Sequence, residues 1–203
     1  MATKDHTLDA KIIASSKREF LHHGFHKASL HTICKNANIT TGALYTRYKN
    51  KDALFASLVQ EVFDAIQPNM QQINDLYIQA HKEKDETLIL AAIRKEQEIY
   101  QELLFEHYDA CVLLYARSAG SEVEKQLKIA MDQKAASTIA YFRSLTDKDI
   151  DLDGIALLLN AQFYFYSEIL EKGYSKQKAL SCLKLVSLYQ EAGWKAVFEQ
   201  LLS

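Results

Sequence analysis

The chain reads as all-α, a small N-terminal three-helix unit followed by a larger helical body. Two observations predict this. Its 203 residues include one proline and six glycines with few β-branched runs, and apolar residues recur at helical spacing along its length. A third bounds the organisation. With 48% apolar residues, the chain can bury a proper core, as one large domain or as a small one plus a larger one.

Each element has a local reason. Residues 7–23 carry Leu8, Ile12, Ile13, Ser16 and Phe20 at near-helical spacing, and Gly24 follows as a stop signal. A second, short helix is predicted from Ser29 to about Asn36. The Ser29 hydroxyl suits an N-cap because it accepts an orphan N–H, while Leu30, Ile33 and Ala37 form an inward stripe. Asn38 tolerates positive φ, which fits a tight turn. A third helix begins at Thr40 or Thr41. A turn of 100° per residue sets Leu44 and Tyr48 on one side and Gly42, Tyr45 and Thr46 on another, with Thr41 and Arg47 flanking. Lys51 and Asp52 open a fourth helix, which runs through Leu54, Leu58 and Phe63 to about Gln67, where Pro68 ends or kinks it. Further helices are expected over 69–81, 85–107, 109–118, 121–145, 152–172 and 175–202. Gly120, Gly154 and Gly173 fall at or near the breaks. The division is therefore 1–51 for the head, extended by the helix 52–67, and 52–203 for the body.

Helix, short turn, helix with a polar outer face is the helix-turn-helix pattern. Charge supports a reader of nucleic acid. Residues 1–60 hold nine Lys/Arg against four Asp/Glu, or +5, and the remaining 15 and 22 give −7. A basic head on an acidic body suits a protein whose second part stays off the phosphates.

The residues Ile12-Ile13, Phe20, Gly24-Phe25, Ala28-Ser29-Leu30, Ile33, Ala37-Asn38-Ile39-Thr40, Gly42-Ala43-Leu44-Tyr45, Arg47-Tyr48, Asn50-Lys51-Asp52 and Leu54-Phe55 resemble the DNA-binding domain of TetR/AcrR-type transcriptional regulators. The likeness covers roughly the first 60 residues; the rest matches only in helical pattern and length. The sequence departs from the family pattern in places. Ser15-Ser16 stand where alanines are usual, and Glu19 replaces a common apolar residue. Asn38 replaces a common glycine, and Arg47 a more frequent His or Tyr. Thr32 holds a place often taken by an acid that would close a capping box.

The resemblance implies a contact set. Ser29, Thr40, Tyr45 and Lys51 would bind phosphates. Thr41, Gly42, Ala43 and Thr46 would face base edges, and Arg47 either a phosphate or a guanine edge. Leu44, Tyr48 and Phe20 read as packing of the head.

In the body, residues 157–169 are apolar nearly all round, more than a one-sided surface helix needs. This is either a central core helix or one that packs on a partner subunit. The resemblance favours a two-fold homodimer built as a four-helix bundle from the last two helices, with Leu159, Tyr166, Leu183, Val186 and Trp194 as interface candidates. An effector pocket would be mostly apolar with a few polar tips. Tyr108, Cys111, Tyr115, Tyr141 and Phe163 are its candidates, against ordinary core packing for any one of them.

Other chemistry finds little support. Glu19 and His22 make a lone Glu-x-x-His beside His23 and His26, where a di-metal bundle needs two such pairs, so no metal and no cofactor is expected. The sequence has no Gly-rich phosphate loop, no Gly-x-Ser-x-Gly and no Cys-x-x-Cys, so no enzyme is expected. Cys34, Cys111 and Cys182 are widely spaced and odd in number, which suits free thiols in a reducing cytoplasm. No membrane span and no secretory signal is expected. The resulting expectation is a cytoplasmic regulator of transcription, a repressor of a palindromic double-stranded operator. A small-molecule effector would release it by shifting the helix 52–67. The alternatives are a co-regulator acting through protein partners, or a helical small-molecule binder with a vestigial helix-turn-helix. Retention of Thr40, Tyr45 and Lys51 weighs against the latter.

Overall fold

The computed structural model describes residues 6–83, 86–145 and 151–202, the side chains at 6, 7, 70, 81, 86, 141, 142, 145, 162, 163, 201 and 202 excepted. The described residues form α1 (His6–Lys27), α2 (Leu30–Ala37), α3 (Thr41–Tyr45), α4 (Lys51–Glu83), α5 (Glu86–Glu106), α6 (Tyr108–Ala116), α7 (Glu122–Leu145), α8 (Leu152–Glu171) and α9 (Lys176–Leu202). No strand occurs among them. Nor is any described helix long and apolar enough to cross a membrane.

Side chains just before the first turn start several of these helices. Asn50 Oδ1 accepts from the Ala53 N–H at 2.8 Å, Ser121 Oγ from Glu124 at 3.1 Å, and Asp151 Oδ1 from Gly154 at 2.9 Å. Each satisfies a donor that a first helical turn leaves open. Gly154 therefore lies in the first turn of α8, near its start as expected.

One expected boundary is absent. Pro68 does not end the fourth helix: α4 is a single helix of 33 residues with Pro68 inside it. Proline removes one N–H and crowds the carbonyl four residues back. The next residue, Asn69, donates its Nδ2 to the Ala65 carbonyl one turn back, at 3.0 Å. Beyond the proline, Ile73 and Ala80 are buried, and α5 packs along α4 more extensively than any other helix pair. Tertiary packing keeps this segment helical where local propensity does not.

The head and the body share one core. Ile12, Phe20, Ile33, Leu44, Leu54 and Phe55 belong to the same buried cluster as Leu104, Leu113, Leu114, Leu170 and Leu183. At its centre runs α6, whose Ala110, Cys111, Val112, Leu113 and Leu114 are all buried. A second cluster at the far end of the body joins Ile89, Ile155, Leu159, Trp194 and Phe198.

Gly24 breaks α1, with φ 70° and ψ 169°, a conformation open essentially only to glycine. The break turns Phe25 back against Phe20 and Phe55, whose rings lie 6.1 and 5.3 Å away. A Cβ at Gly24 would meet Arg117 atoms no nearer than 3.7 Å, so the cost of a side chain is conformational and not steric. Gly24→Ala is expected to lower stability by about 1–3 kcal/mol, read from urea denaturation. An unchanged midpoint would remove the constraint.

Candidate nucleic-acid interface

The second helix of the head starts on a capping arrangement built from two helices. Ser29 is extended at φ −107°, ψ 117°, and its Oγ accepts from the Thr32 N–H at 3.3 Å. The Ser29 N–H donates to Glu19 Oε1 at 2.9 Å. In a capping box the returning carboxylate comes from the third helical residue, which here is Thr32. Glu19, buried on α1, supplies it instead. Two departures from the family pattern are thus one compensated pair. Ser15, another departure, donates its buried hydroxyl to the Ile33 carbonyl at 3.0 Å, which ties α2 to α1 a second time.

Asn38 ends α2 in the left-handed region, at φ 55° and ψ 49°. The chain then turns within three residues into α3. Thr40 caps it, with Oγ1 accepting from the Ala43 N–H at 3.1 Å. As a hydroxyl it still has a proton to donate. Leu44 is 1% exposed and anchors the helix inward, while Tyr45 is 51% exposed. Thr41, Gly42 and Thr46 are exposed beside Tyr45, and Ala43 is half-buried. Thr46 Oγ1 donates to the Gly42 carbonyl at 2.9 Å, which leaves its methyl group as the distinctive surface feature. The structure therefore brings Thr41, Gly42, Tyr45 and Thr46 together on one outward face.

Arg47 stands apart from this face. Its Nε donates to Asp9 Oδ1 at 2.6 Å, and one terminal nitrogen lies 3.4 Å from the Ala43 carbonyl. The guanidinium is drawn inward and pins the end of α3 to α1. The expectation that it reads a phosphate or a guanine edge finds it committed within the head. Asp9 lies 38 residues away, beyond the reach of any spacing argument.

Lys51 opens α4 with Nζ 3.2 Å from the His26 carbonyl and 4.9 Å from the Phe25 ring centre. Partial burial lowers its pKa, against the opposing charges of Asp52 and Glu19. It is oriented at the junction of α1 and α4, with ammonium donors to spare for an anion.

Comparison with known proteins meets this geometry. Residues 12–58 match the family model described as bacterial regulatory proteins, tetR family. The likeness to the TetR family thus lies in the N-terminal domain. The HTH-type transcriptional regulator UidR of Escherichia coli K12 is 32% identical over 59 residues, which is 29% of this chain and 30% of that one. The alignment thus spans under a third of that curated relative. The fold likeness is longer. A TetR family transcriptional regulator from Chloroflexus aurantiacus superposes with a TM-score of 0.59 over 99% of this chain and 94% of its own, at 15% identity. MexZ of Pseudomonas aeruginosa, described as a key repressor responsible for antibiotic resistance, gives 0.55 over 97% and 95%, at 14% identity. Beyond the head, the chain therefore shares the TetR fold.

The body residues singled out from the sequence fall differently. Tyr108 donates its phenol to the Tyr174 carbonyl. Cys111 is core, its thiol pushed up to about 12 by burial, and burial raises Tyr115 as well. None of the three lines the cavity between α4, α5 and α7, and the side chains of Tyr141 and Phe163 lie outside the described residues. Leu159, Tyr166, Leu183 and Trp194 are buried within the protomer, and Val186 is half-buried. On the last two helices the exposed large apolar side chains are instead Leu157, Leu158 and Tyr164 of α8 and Leu185, Leu188 and Tyr189 of α9. A helix apolar all round does not reveal by its period which face packs inward.

Glu19→Ala is expected to lower stability by about 1.5–3 kcal/mol, the scale of a hydrogen bond to a charged group. Glu19→Gln keeps an oxygen for the Ser29 N–H and should lose clearly less. No loss in the alanine variant on urea unfolding would mean the contact contributes nothing.

Proposed function

We propose that this chain is a sequence-specific reader of double-stranded DNA that regulates transcription as a homodimer in the cytoplasm, by binding and not by catalysis. The observation that carries the reading is the outward face of Thr41, Gly42, Tyr45 and Thr46, held by a buried Leu44 on a capped helix. Ser29, Thr40, Tyr45 and Lys51 contact phosphates through hydroxyl, phenol and ammonium donors. Thr41, Gly42, Ala43 and Thr46 meet base edges, the threonine methyls and Ala43 suiting thymine methyls. Arg47 sets the angle of α3 through Asp9. The chain acts as a repressor, and a small effector in the body releases it by displacing α4 and α6, which the head and body share.

Dimerisation follows from the exposed apolar face. Leu185, Leu188, Tyr189 and Ala192 recur at i, i+3, i+4 and i+7 on α9, beside Leu157, Ala161 and Tyr164 on α8. Two copies packed about a two-fold axis cover this stripe and present two copies of α3 to successive major grooves, about 34–36 Å apart. A pseudo-palindromic site is the natural partner.

Titration of a labelled duplex carrying the chain's own upstream intergenic region tests the reading, with unlabelled competitor and varied salt. Tyr45→Phe, which removes only the hydroxyl, and Thr41→Ala are each expected to weaken specific binding, by about 1–3 kcal/mol where a base contact is lost. Lys51→Ala should also reduce the salt slope by about one. Wild-type binding no tighter than to random DNA, there and across a genome-wide pull-down, would sink the proposal. The dimer has its own check: Leu185→Glu with Leu188→Glu should sediment as a folded monomer, and an unchanged dimer would place the interface elsewhere.

A further inference from the structure

A cavity of about 810 Å³ lies between α4, α5 and α7, away from the DNA-facing surface. Its walls follow Ile73 to Lys82 along α4 and Ala130 to Ser144 along α7, roughly 14 and 21 Å of helix axis at 1.5 Å per residue. The space is a trough. Ile73, Ile78, Ala130 and Ala140 give it apolar walls, and its volume falls in the range of small-molecule sites.

The charges in this trough are unequal in access. Glu96 of α5 receives the ammonium of Lys134 on one oxygen and the Tyr77 hydroxyl on the other, at 3.4 Å. The Glu96 side chain is 6% exposed and that of Lys134 is 27% exposed. The carboxylate is the back wall, and the ammonium stands in front of it. Besides Glu96, the ammonium meets the Tyr100 ring at 5.9 Å. Three N–H donors exceed what these partners use. Lys82 adds a second positive charge at the rim. An entering ligand therefore meets net positive charge and apolar wall, while a cation would have to displace Lys134 to reach Glu96.

We propose that this trough binds an amphipathic carboxylate, its head at Lys134 and its apolar chain along the groove between α4 and α7. Lys134 holds the head by a charge-assisted hydrogen bond. Burial lowers the Lys134 pKa to about 8, and a second anion beside Nζ opposes that shift. Calling the carboxylate an effector rests on the regulator reading above; the binding itself does not.

Calorimetric titration of the full chain with sodium decanoate, 1-decanol and decyltrimethylammonium, all below their aggregation concentrations, tests the site. Decanoate should bind at least tenfold tighter than the other two. The double variant Lys134→Gln/Glu96→Gln keeps the side-chain sizes near native while removing both charges, and should bring decanoate down to the level of decanol. Ala130→Phe, at an exposed wall position that leaves the ion pair in place, should abolish decanoate binding without lowering the melting temperature. A preference for the cation, decanoate affinity unaltered in both variants, or no binding by any of the three probes would overturn the proposal. Decanoate that binds through Lys134 but leaves DNA affinity unchanged would uphold the site and remove its role as a switch.

Discussion

One rung of the first helix is made by a residue from the body, and the placement of the head depends on it. Gly24 breaks α1, so the Leu21 carbonyl and the Phe25 N–H, which would pair in an unbroken helix, are both left over. Arg117, just past the end of α6, takes both: its Nε donates to the Leu21 carbonyl at 3.0 Å, and its own carbonyl accepts from Phe25 at 2.7 Å. Buried backbone groups must find partners, so the break and the arginine form a single feature. Two further contacts brace the joint. Asp52 Oδ1 accepts from the Glu122 N–H at 2.8 Å, and Lys17 pairs with Asp109 at 3.2 Å. The body thus holds the head at three places, all at the ends of α6 or the start of α7.

Within the head, α3 has five residues and no stability of its own. Its direction is imposed from outside: by Thr40 at its start, Leu44 beneath it, and the Arg47–Asp9 pair at its end. The outer face is left for other partners because the inner one is so fully specified. α2 is fixed in the same manner, by Glu19 and Ser15 reaching across from α1. A buried carboxylate facing a backbone N–H fixes register as well as contributing energy.

Much of this was legible in the sequence, and the rest has physical reasons for being hidden. Apart from the split at Pro68, helical period placed the helices of the described residues closely, and Ser29, Asn38 and Thr40 act where local rules put them, because caps and left-handed turns are short-range effects. Pro68 misled because its local penalty is offset by the packing of Ile73 and Ala80, which no window around the proline contains. Arg47 reads as an exposed cation until Asp9 is brought beside it. The two apolar faces of α8 are equivalent to a periodicity argument, so Leu159 and Tyr166 read as interface candidates although they are buried in the core and Leu157 and Tyr164 are exposed. Glu19 and Thr32 read as separate departures, and only three-dimensional proximity makes them one.

α4 is the element on which these parts converge. Its first turns carry Lys51, Asp52, Leu54 and Phe55 into the head, and its last turns wall the trough at Ile73 and Lys82. A change in packing at one end reaches the other through a single rod, about 33 Å from Lys51 to Ile73 at 1.5 Å per residue. Pro68 lies between the trough and the head, where the hydrogen-bond ladder lacks a donor, and bending concentrates at such points. On the opposite side of the body, α5 is tied to α9 by polar pairs, Gln97 with Gln190 at 3.2 Å and Gln101 with Ser187 at 3.1 Å. The first pair is buried and the second partly so, and satisfied polar pairs of this kind resist sliding. With α5 held against α9, the trough wall with more freedom to move is α4, the proline-bearing rod whose first turn packs into the head.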